Sequence, residues 1–224
     1  MRIALLQTLQ ASLLTLGALF PIVNPLGTAP VFLLLTRGFS SHARAVLARK
    51  VAINGFVLVV VSMLIGTHIL AFFGISLPVV QVGGGIVVIA TSWSLLQRKD
   101  DIRPHDGAQA AVSSEDLSKR AFYPLTLPLT VGPGSISVAI TLGANSEGKN
   151  QFQWTVLAAA LLGPALLAVT IYLSYRFAEG TARFLGETAM NVILRLSSFI
   201  LLCIGVQILW NGVSALLASA LRVN

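Results

Sequence analysis

The residues best placed to do chemistry lie in two short stretches, and what they offer is backbone rather than acid or base. Residues 20–30 read Phe20-Pro21-Ile22-Val23-Asn24-Pro25-Leu26-Gly27-Thr28-Ala29-Pro30. Residues 123–134 read Tyr123-Pro124-Leu125-Thr126-Leu127-Pro128-Leu129-Thr130-Val131-Gly132-Pro133-Gly134. Proline has no backbone N–H and clashes with the carbonyl one turn back, so each cluster must break a helix at Pro21, Pro25 and Pro30, or at Pro124, Pro128 and Pro133. Pro30 and Pro133 are expected near the start of the second half-helix, where proline is tolerated. A half-helix that starts there points free N–H groups and partial positive charge inward, and the one that ends there presents carbonyls. Such a pair of poles suits a small zwitterion. The substrate-binding candidates are Asn24, Gly27, Thr28, Thr126, Thr130, Gly132, Gly134 and Ser135, with Ser137 beside them. Asn24 leads, because a mid-span amide is costly unless partnered; capping the broken helix is its other use. Gln81, Gln207 and Asn211 form a second tier that could equally join helices.

Acid–base groups are sorted away from this region. The acidic residues, at 100, 101, 106, 115, 116, 147, 179 and 187, fall in expected loops or at span ends. His68 is the titratable group well inside a span, toward its outer end, where an interfacial structural role is expected rather than a proton relay. Arg195 opens the sixth span and is expected to snorkel. A phosphate-binding G-x-x-x-x-G-K-[ST] loop is absent, so this chain carries no ATP drive. No catalytic residue, metal site or resident cofactor is expected, which leaves Na⁺, a proton, exchange or facilitation as coupling. Cys203, the single cysteine, reads as a small buried hydrophobe.

Positioning these residues falls to membrane helices. Of 224 residues 55% are hydrophobic and 10% charged, and mean hydropathy is +0.84. Soluble domains carry roughly 25% charge, so too few charges remain here to cover a water-facing surface. Six stretches, 3–36, 51–73, 75–96, 121–143, 154–175 and 194–221, can each cross a hydrocarbon core of roughly 30 Å. No A-x-A-like site precedes Pro21, so no signal peptide is expected. The net charge is +7, but the cations sit in short loops between apolar runs, which argues for orientation and against a nucleic-acid partner. Arg2, Lys149 and Arg222 fall on one side. Arg37, Arg44, Arg49, Lys50, Arg98, Lys99, Arg103, Lys119, Arg120, Arg176, Arg183 and Arg195 fall on the other. The second side is therefore cytoplasmic, with loops 1–2, 3–4 and 5–6, and both termini lie outside. Tyr123, Tyr172, Tyr175 and Trp154 near span ends read as interfacial aromatics. Gly83-Gly84-Gly85 reads as close helix packing, and Gly163-Pro164 as a kink.

The two proline clusters share one offset of 103, with matching spacing and with Leu26 on Leu129. A weaker echo, at an offset of 114, sets Gln81-Val82-Gly83-Gly84 on Arg195-Leu196-Ser197-Ser198. Three spans separate the copies, so the second enters the membrane inverted, as in many secondary transporters. The expected fold is an all-α membrane protein, six transmembrane helices as two inverted three-helix repeats with helices 1 and 4 broken. The repeats are 1–96 and 121–224, joined by a charge-balanced cytoplasmic connector over 97–120, in which residues 113–116 can start a short surface helix. Whether 21–36 and 122–141 are broken spans or re-entrant segments stays open. As one straight helix, the 34-residue first span would reach about 51 Å, so it breaks or lies partly outside.

The sequence resembles the MarC family of bacterial inner-membrane proteins. The resemblance rests on Phe20 to Gly27, Phe73-Gly-Ile-Ser-Leu-Pro78 with Gly83 to Gly85, Pro124 to Pro128 with Gly132 to Gly134, and Gly205-Val-Gln207 with Asn211-Gly212, in order along nearly the whole chain. That family is similar to an archaeal small neutral amino acid transporter. The resemblance implies six spans in the plasma membrane, and it carries over no catalytic or ligand residue. The leading expectation is a non-enzymatic secondary transporter of a small solute, a small neutral amino acid first, across the plasma membrane by alternating access. A carrier of a larger amphipathic or lipid-linked substrate or drug, and a membrane protein without transport activity, are the alternatives. An intramembrane enzyme ranks low, since only His68 is available at depth. The lipid bilayer and a small-molecule substrate are the expected partners, with oligomeric state open.

Overall fold

The structure, a computed structural model, describes residues 2–36, 38–97, 114–147 and 153–221. Among these it is helical: α1 Arg2–Val23, α2 Pro25–Leu35, α3 Ser41–Phe72, α4 Leu77–Leu96, α5 Ser114–Arg120, a π-wound segment π1 Ala121–Thr130, α6 Pro133–Glu147, α7 Gln153–Arg176 and α8 Ala178–Leu221. Most of the connector expected over 97–120 lies outside the described residues, but its end is the short helix α5. Among the described residues four helices are long and apolar enough to cross a membrane: Leu5–Val23, Ser41–Phe72, Leu77–Leu96 and Asn191–Leu221. Two bent pairs bring the number to six if each is one span. They are Leu117–Thr130 with Pro133–Asn145, bent by 71°, and Ala160–Arg176 with Ala178–Phe184, bent by 55°.

Local signals explain where elements start and stop. Ser40 caps α3, its hydroxyl accepting from the Ala43 N–H at 3.2 Å. Gly74, at φ 66, turns the chain from α3 into α4, and Pro78 lies in the first turn of α4. Such a positive φ is open to glycine at little cost. Pro164 lies inside α7, which stays helical throughout, so no break replaces the kink expected there. Gly163 instead lets α1 come close: a Cβ on it would lie 2.7 Å from the Thr15 side chain.

The packing has a regular pattern. The elements of the first expected span (α1, α2) pack on α7, and those of the fourth (π1, α6) pack on α3. The third (α4) packs on α6, and the sixth (α8) on α2 and α1. The remaining large contacts join α3 to α7 and α4 to α8. The α4–α8 seam is backbone on backbone. A Cβ on Gly85 would sit 2.6 Å from the Leu209 nitrogen, and one on Gly212 2.6 Å from the Pro78 carbonyl oxygen. Small residues permit such approach, and in lipid that close packing replaces a hydrophobic drive. The main core joins Leu19, Val23, Phe32, Val51, Val59, Val131, Leu167 and Ile171, drawn from both halves of the chain.

Candidate functional site

The first break is a single residue. Asn24 has φ 48 and ψ 55, the left-handed region. Asn is one of the few non-glycine residues that adopts it readily, because its short amide can bond locally. Here the Gly27 N–H donates to Asn24 Oδ1 at 3.1 Å, and the Thr28 N–H donates to the Asn24 carbonyl at 3.0 Å. Asn24 is thus the N-cap of α2, with Pro25 at the first helical position. Two expectations change. Pro30 does not open the second half-helix; it lies in the interior of α2, while Pro25 takes the opening place. Nor is the first expected span cut into equal halves, since α1 has 22 residues and α2 has 11. Pro21 sits in the last turn of α1, and at 22 residues α1 is about 33 Å long, enough to cross alone.

The second break is spread over a dozen residues. Tyr123 (φ −125, ψ 125) and Leu127 (φ −108, ψ 128) are extended, as residues preceding proline prefer. The Thr126 hydroxyl donates to the Ala121 carbonyl and the Thr130 hydroxyl to the Leu125 carbonyl, each at 2.6 Å and five residues back. Both threonine hydroxyls thus bond back to carbonyls within the disrupted segment itself. Asn54 of α3 adds a contact from outside, its Nδ2 3.4 Å from Thr126 Oγ1. The Ile136 N–H donates to the Gly132 carbonyl, making Gly132 the N-cap of α6 and Pro133 its opening residue. The equivalent pairs, Asn24-Pro25 and Gly132-Pro133, stand 108 apart, not 103.

Tyr175 brings the two breaks together. Its hydroxyl lies 2.9 Å from Thr28 Oγ1 and 2.8 Å from Thr130 Oγ1. Its ring stacks on Phe32 at 4.4 Å between centroids. Tyr175 is 2% exposed, so it is not the interfacial aromatic expected from its place near a span end. The apolar run Leu167, Ile171, Tyr175, at helical i, i+4, i+8 spacing, was the signal that this face points inward. The Tyr175 hydroxyl has one proton, so it donates to one threonine and accepts from the other. The threonine that donates to Tyr175 must turn its proton away from its own backbone carbonyl, Asn24 or Leu125.

The other candidates scatter around this point. Thr28, Thr126, Thr130, Ser135 and Ser137 are buried. Gly27 faces α8, where a Cβ would lie 2.6 Å from Ser197 Cβ. Gly134 faces α4, where one would lie 2.0 Å from Val88 Cγ2, and Gly84 meets Ser137 likewise at 2.8 Å. Gly84 and Ser197, both from the weaker echo but not at paired positions, thus each lie against the helix that follows a break, whereas Gly83 is exposed and not in the close packing expected of it. Gln81 Nε2 donates to Thr141 Oγ1 at 3.2 Å, tying α4 to α6. Gln207 and Asn211 are exposed, as is Cys203, which is therefore not buried as expected. His68 is exposed, and Arg195 lies near the start of the candidate span Asn191–Leu221, as expected, beyond a backbone break in α8 at Gly186. Outside the expected spans, Glu179 bonds the guanidinium groups of Arg44 and Arg183. The Arg183 hydrogen bond, then the Arg44 charge, hold its carboxyl below the ordinary value. Asn54 had gone unremarked in the sequence, although a mid-span amide is itself a signal, and Glu179 was read there only as an acid outside the spans.

Residues 9–217, which include both breaks and Tyr175, match the family model described as MarC family integral membrane protein. The chain belongs to the MarC family. Among its MarC relatives, the UPF0056 membrane protein YvbG of Bacillus subtilis is 30% identical over 202 residues, 89% of this chain and 92% of the relative. The UPF0056 membrane protein MJ1677 of Methanocaldococcus jannaschii is 30% identical over 205 residues, 92% and 97% of the two chains. The UPF0056 inner membrane protein MarC of Escherichia coli is 31% identical over 206 residues, 89% and 92%. No solved structure matches the chain. The family places the protein in a membrane.

Proposed function

We propose that this MarC-family protein is a secondary transporter of a small solute, a small neutral amino acid first, working by alternating access between two inverted three-helix repeats. The observation that carries this reading is the Tyr175 hydroxyl, bonded at once to Thr28 after the first break and Thr130 at the second. Interrupted helices that meet at a buried polar point are where membrane carriers build ion and substrate sites. The packing supports the repeat. Exchanging spans 1, 2 and 3 for 4, 5 and 6 turns the contact of the first span on α7 into that of the fourth on α3, and α4 on α6 into α8 on α2. The protein acts without enzymatic chemistry or a resident cofactor, coupled to Na⁺, to protons, or by exchange. Like the Escherichia coli relative it resides in the inner membrane, with its termini outside; alkaline phosphatase fused after Asn224 is then active.

The test is uptake and counterflow of radiolabelled alanine and glycine in proteoliposomes, with and without Na⁺ and proton gradients. Saturable uptake that falls in Tyr175→Phe supports the reading. Uptake indifferent to every amino acid offered, in protein that stays folded, overturns the substrate class. A carrier of larger amphipathic substrates is the second reading, and one feature favours it. Between α3 and α7 lies an open apolar groove of about 470 Å³, walled by Ala52, Phe56, Ala165 and Ala168, with Arg49 and Tyr172 at one end. That volume falls within the roughly 300–1,000 Å³ of small-ligand sites.

A further inference from the structure

The sixth span carries two amides on the wrong side for a monomer. Gln207 and Asn211 lie near the middle of the expected span 194–221 and are both exposed. Gln207 Nε2 donates to Asn211 Oδ1 at 2.9 Å. A primary amide has two N–H donors and an oxygen with two lone pairs, so this one bond leaves most of the pair's capacity unused. At that depth lipid supplies no partner, and an unserved polar group is expensive. The opposite face of α8 is already committed, with Gly205 and Gly212 set against α4. Cys203, Gln207, Asn211 and Ser214 follow at i, i+4, i+8 and i+11, one stripe along the free face. Trp210, 61% exposed, stands beside it, although tryptophan in membranes favours the interfaces.

We infer that this stripe is the contact surface for a second copy of the same chain. All copies insert in the same direction, so two α8 helices meet side by side across a two-fold axis along the membrane normal. Each amide then faces its own counterpart. An amide is both donor and acceptor and is therefore self-complementary, as such an isologous contact requires. Amides that bond across helices are an established glue of membrane helix pairs, and Trp210 supplies a large, rigid anchor next to them.

The chain provides its own probe, since Cys203 is its one cysteine and is exposed a turn before Gln207. Membranes containing the full chain are treated with copper–phenanthroline, which removes the two electrons needed to join two thiols. The expected product is a species at twice 23.7 kDa, sensitive to reductant and absent in Cys203→Ala. A control variant, Cys203→Ala with Val57→Cys, carries its thiol on the exposed face of α3 and gives no such product. The Gln207→Leu/Asn211→Leu variant keeps Cys203 and removes no buried contact. Single-molecule photobleaching in liposomes should show its dimerisation weakened about 3- to 20-fold per amide contact. The proposal is overturned if the native chain bleaches in single steps at all densities. It is equally overturned if the double leucine variant dimerises as the native chain does, in which case a loss of solute uptake in that variant assigns the amides to a transport path instead.

Discussion

The two helix breaks solve one problem in opposite ways. At the first, a single residue takes the strained conformation and serves the freed amides itself: Asn24 turns left-handed and its Oδ1 accepts from Gly27. At the second, residues 121–132 share the disruption, two threonine hydroxyls serve carbonyls five residues back, and Asn54 reaches in from α3. The cap of α6 is Gly132, which has no side chain to offer. A break that closes on itself is stiff, because any motion must undo its own hydrogen bonds. A break that borrows partners over ten residues can change some of them while keeping others. The contrast predicts a stiff first break and a pliable second one.

Four measurements bear on this contrast, from the largest expected effect to the smallest. Asn24→Ala removes an N-cap worth about 1 kcal/mol and leaves a left-handed residue costing about 1–2 kcal/mol. A loss of roughly 2–3 kcal/mol in detergent-based unfolding is therefore expected, while Asn24→Gly, free of the backbone strain, loses only a few tenths. Equal losses in the two variants would remove the strained cap from the account of the first break. Tyr175→Phe keeps the stacking on Phe32 and deletes the shared hydroxyl. Each threonine retains its backbone carbonyl, so stability should fall by only about 1 kcal/mol, with uptake reduced far more than stability. Gly132→Ser gives α6 a capping hydroxyl; a Cβ there meets the Pro128 carbonyl at 3.1 Å. A change of a few tenths of a kcal/mol is expected, together with slower counterflow as the pliable break stiffens. Unchanged counterflow would place the motion elsewhere.

The smallest effect is electrostatic and lies outside both breaks. The Glu179 carboxyl is held below its ordinary value of 4.5 by Arg183 and Arg44. A carboxylate with a lowered folded value stabilises the protein above its unfolded value and stops doing so as pH falls through the folded one. Melting temperatures of the native chain and Glu179→Gln should therefore differ slightly at neutral pH and converge below pH 4.5. The difference should also shrink in high salt, since the pair is exposed.

Much of the architecture could be read from residue order. Apolar runs gave helices near the expected limits, and Gly84 and Gly85 lie in close helix contacts as their small size implies. Proline counting located the broken regions but not the break points. A proline says which N–H is missing, not which carbonyl the surroundings can serve, and Pro21, Pro30 and Pro164 all lie inside helices because neighbours or local geometry absorb them. The residue that broke the first helix was an asparagine, whose left-handed preference is weak until its amide finds the Gly27 N–H. The proline clusters share an offset of 103, yet the structural caps stand 108 apart, because the first break falls at the second proline of its cluster and the second break at the third. Tyr175 was misplaced by proximity to a span end, a criterion blind to which way a helix face points.

The Tyr175 hydroxyl has a thermodynamic corollary. Threonines from opposite halves of the chain bond the same hydroxyl, one accepting its proton and the other donating, so the proton arrangements at the two breaks are linked. A ligand or ion that favours one proton arrangement at Thr28 changes the stability of the arrangement at Thr130, and the reverse effect must be equal in size. Reciprocity of this kind needs no long relay of residues, because a single oxygen atom touches both sides.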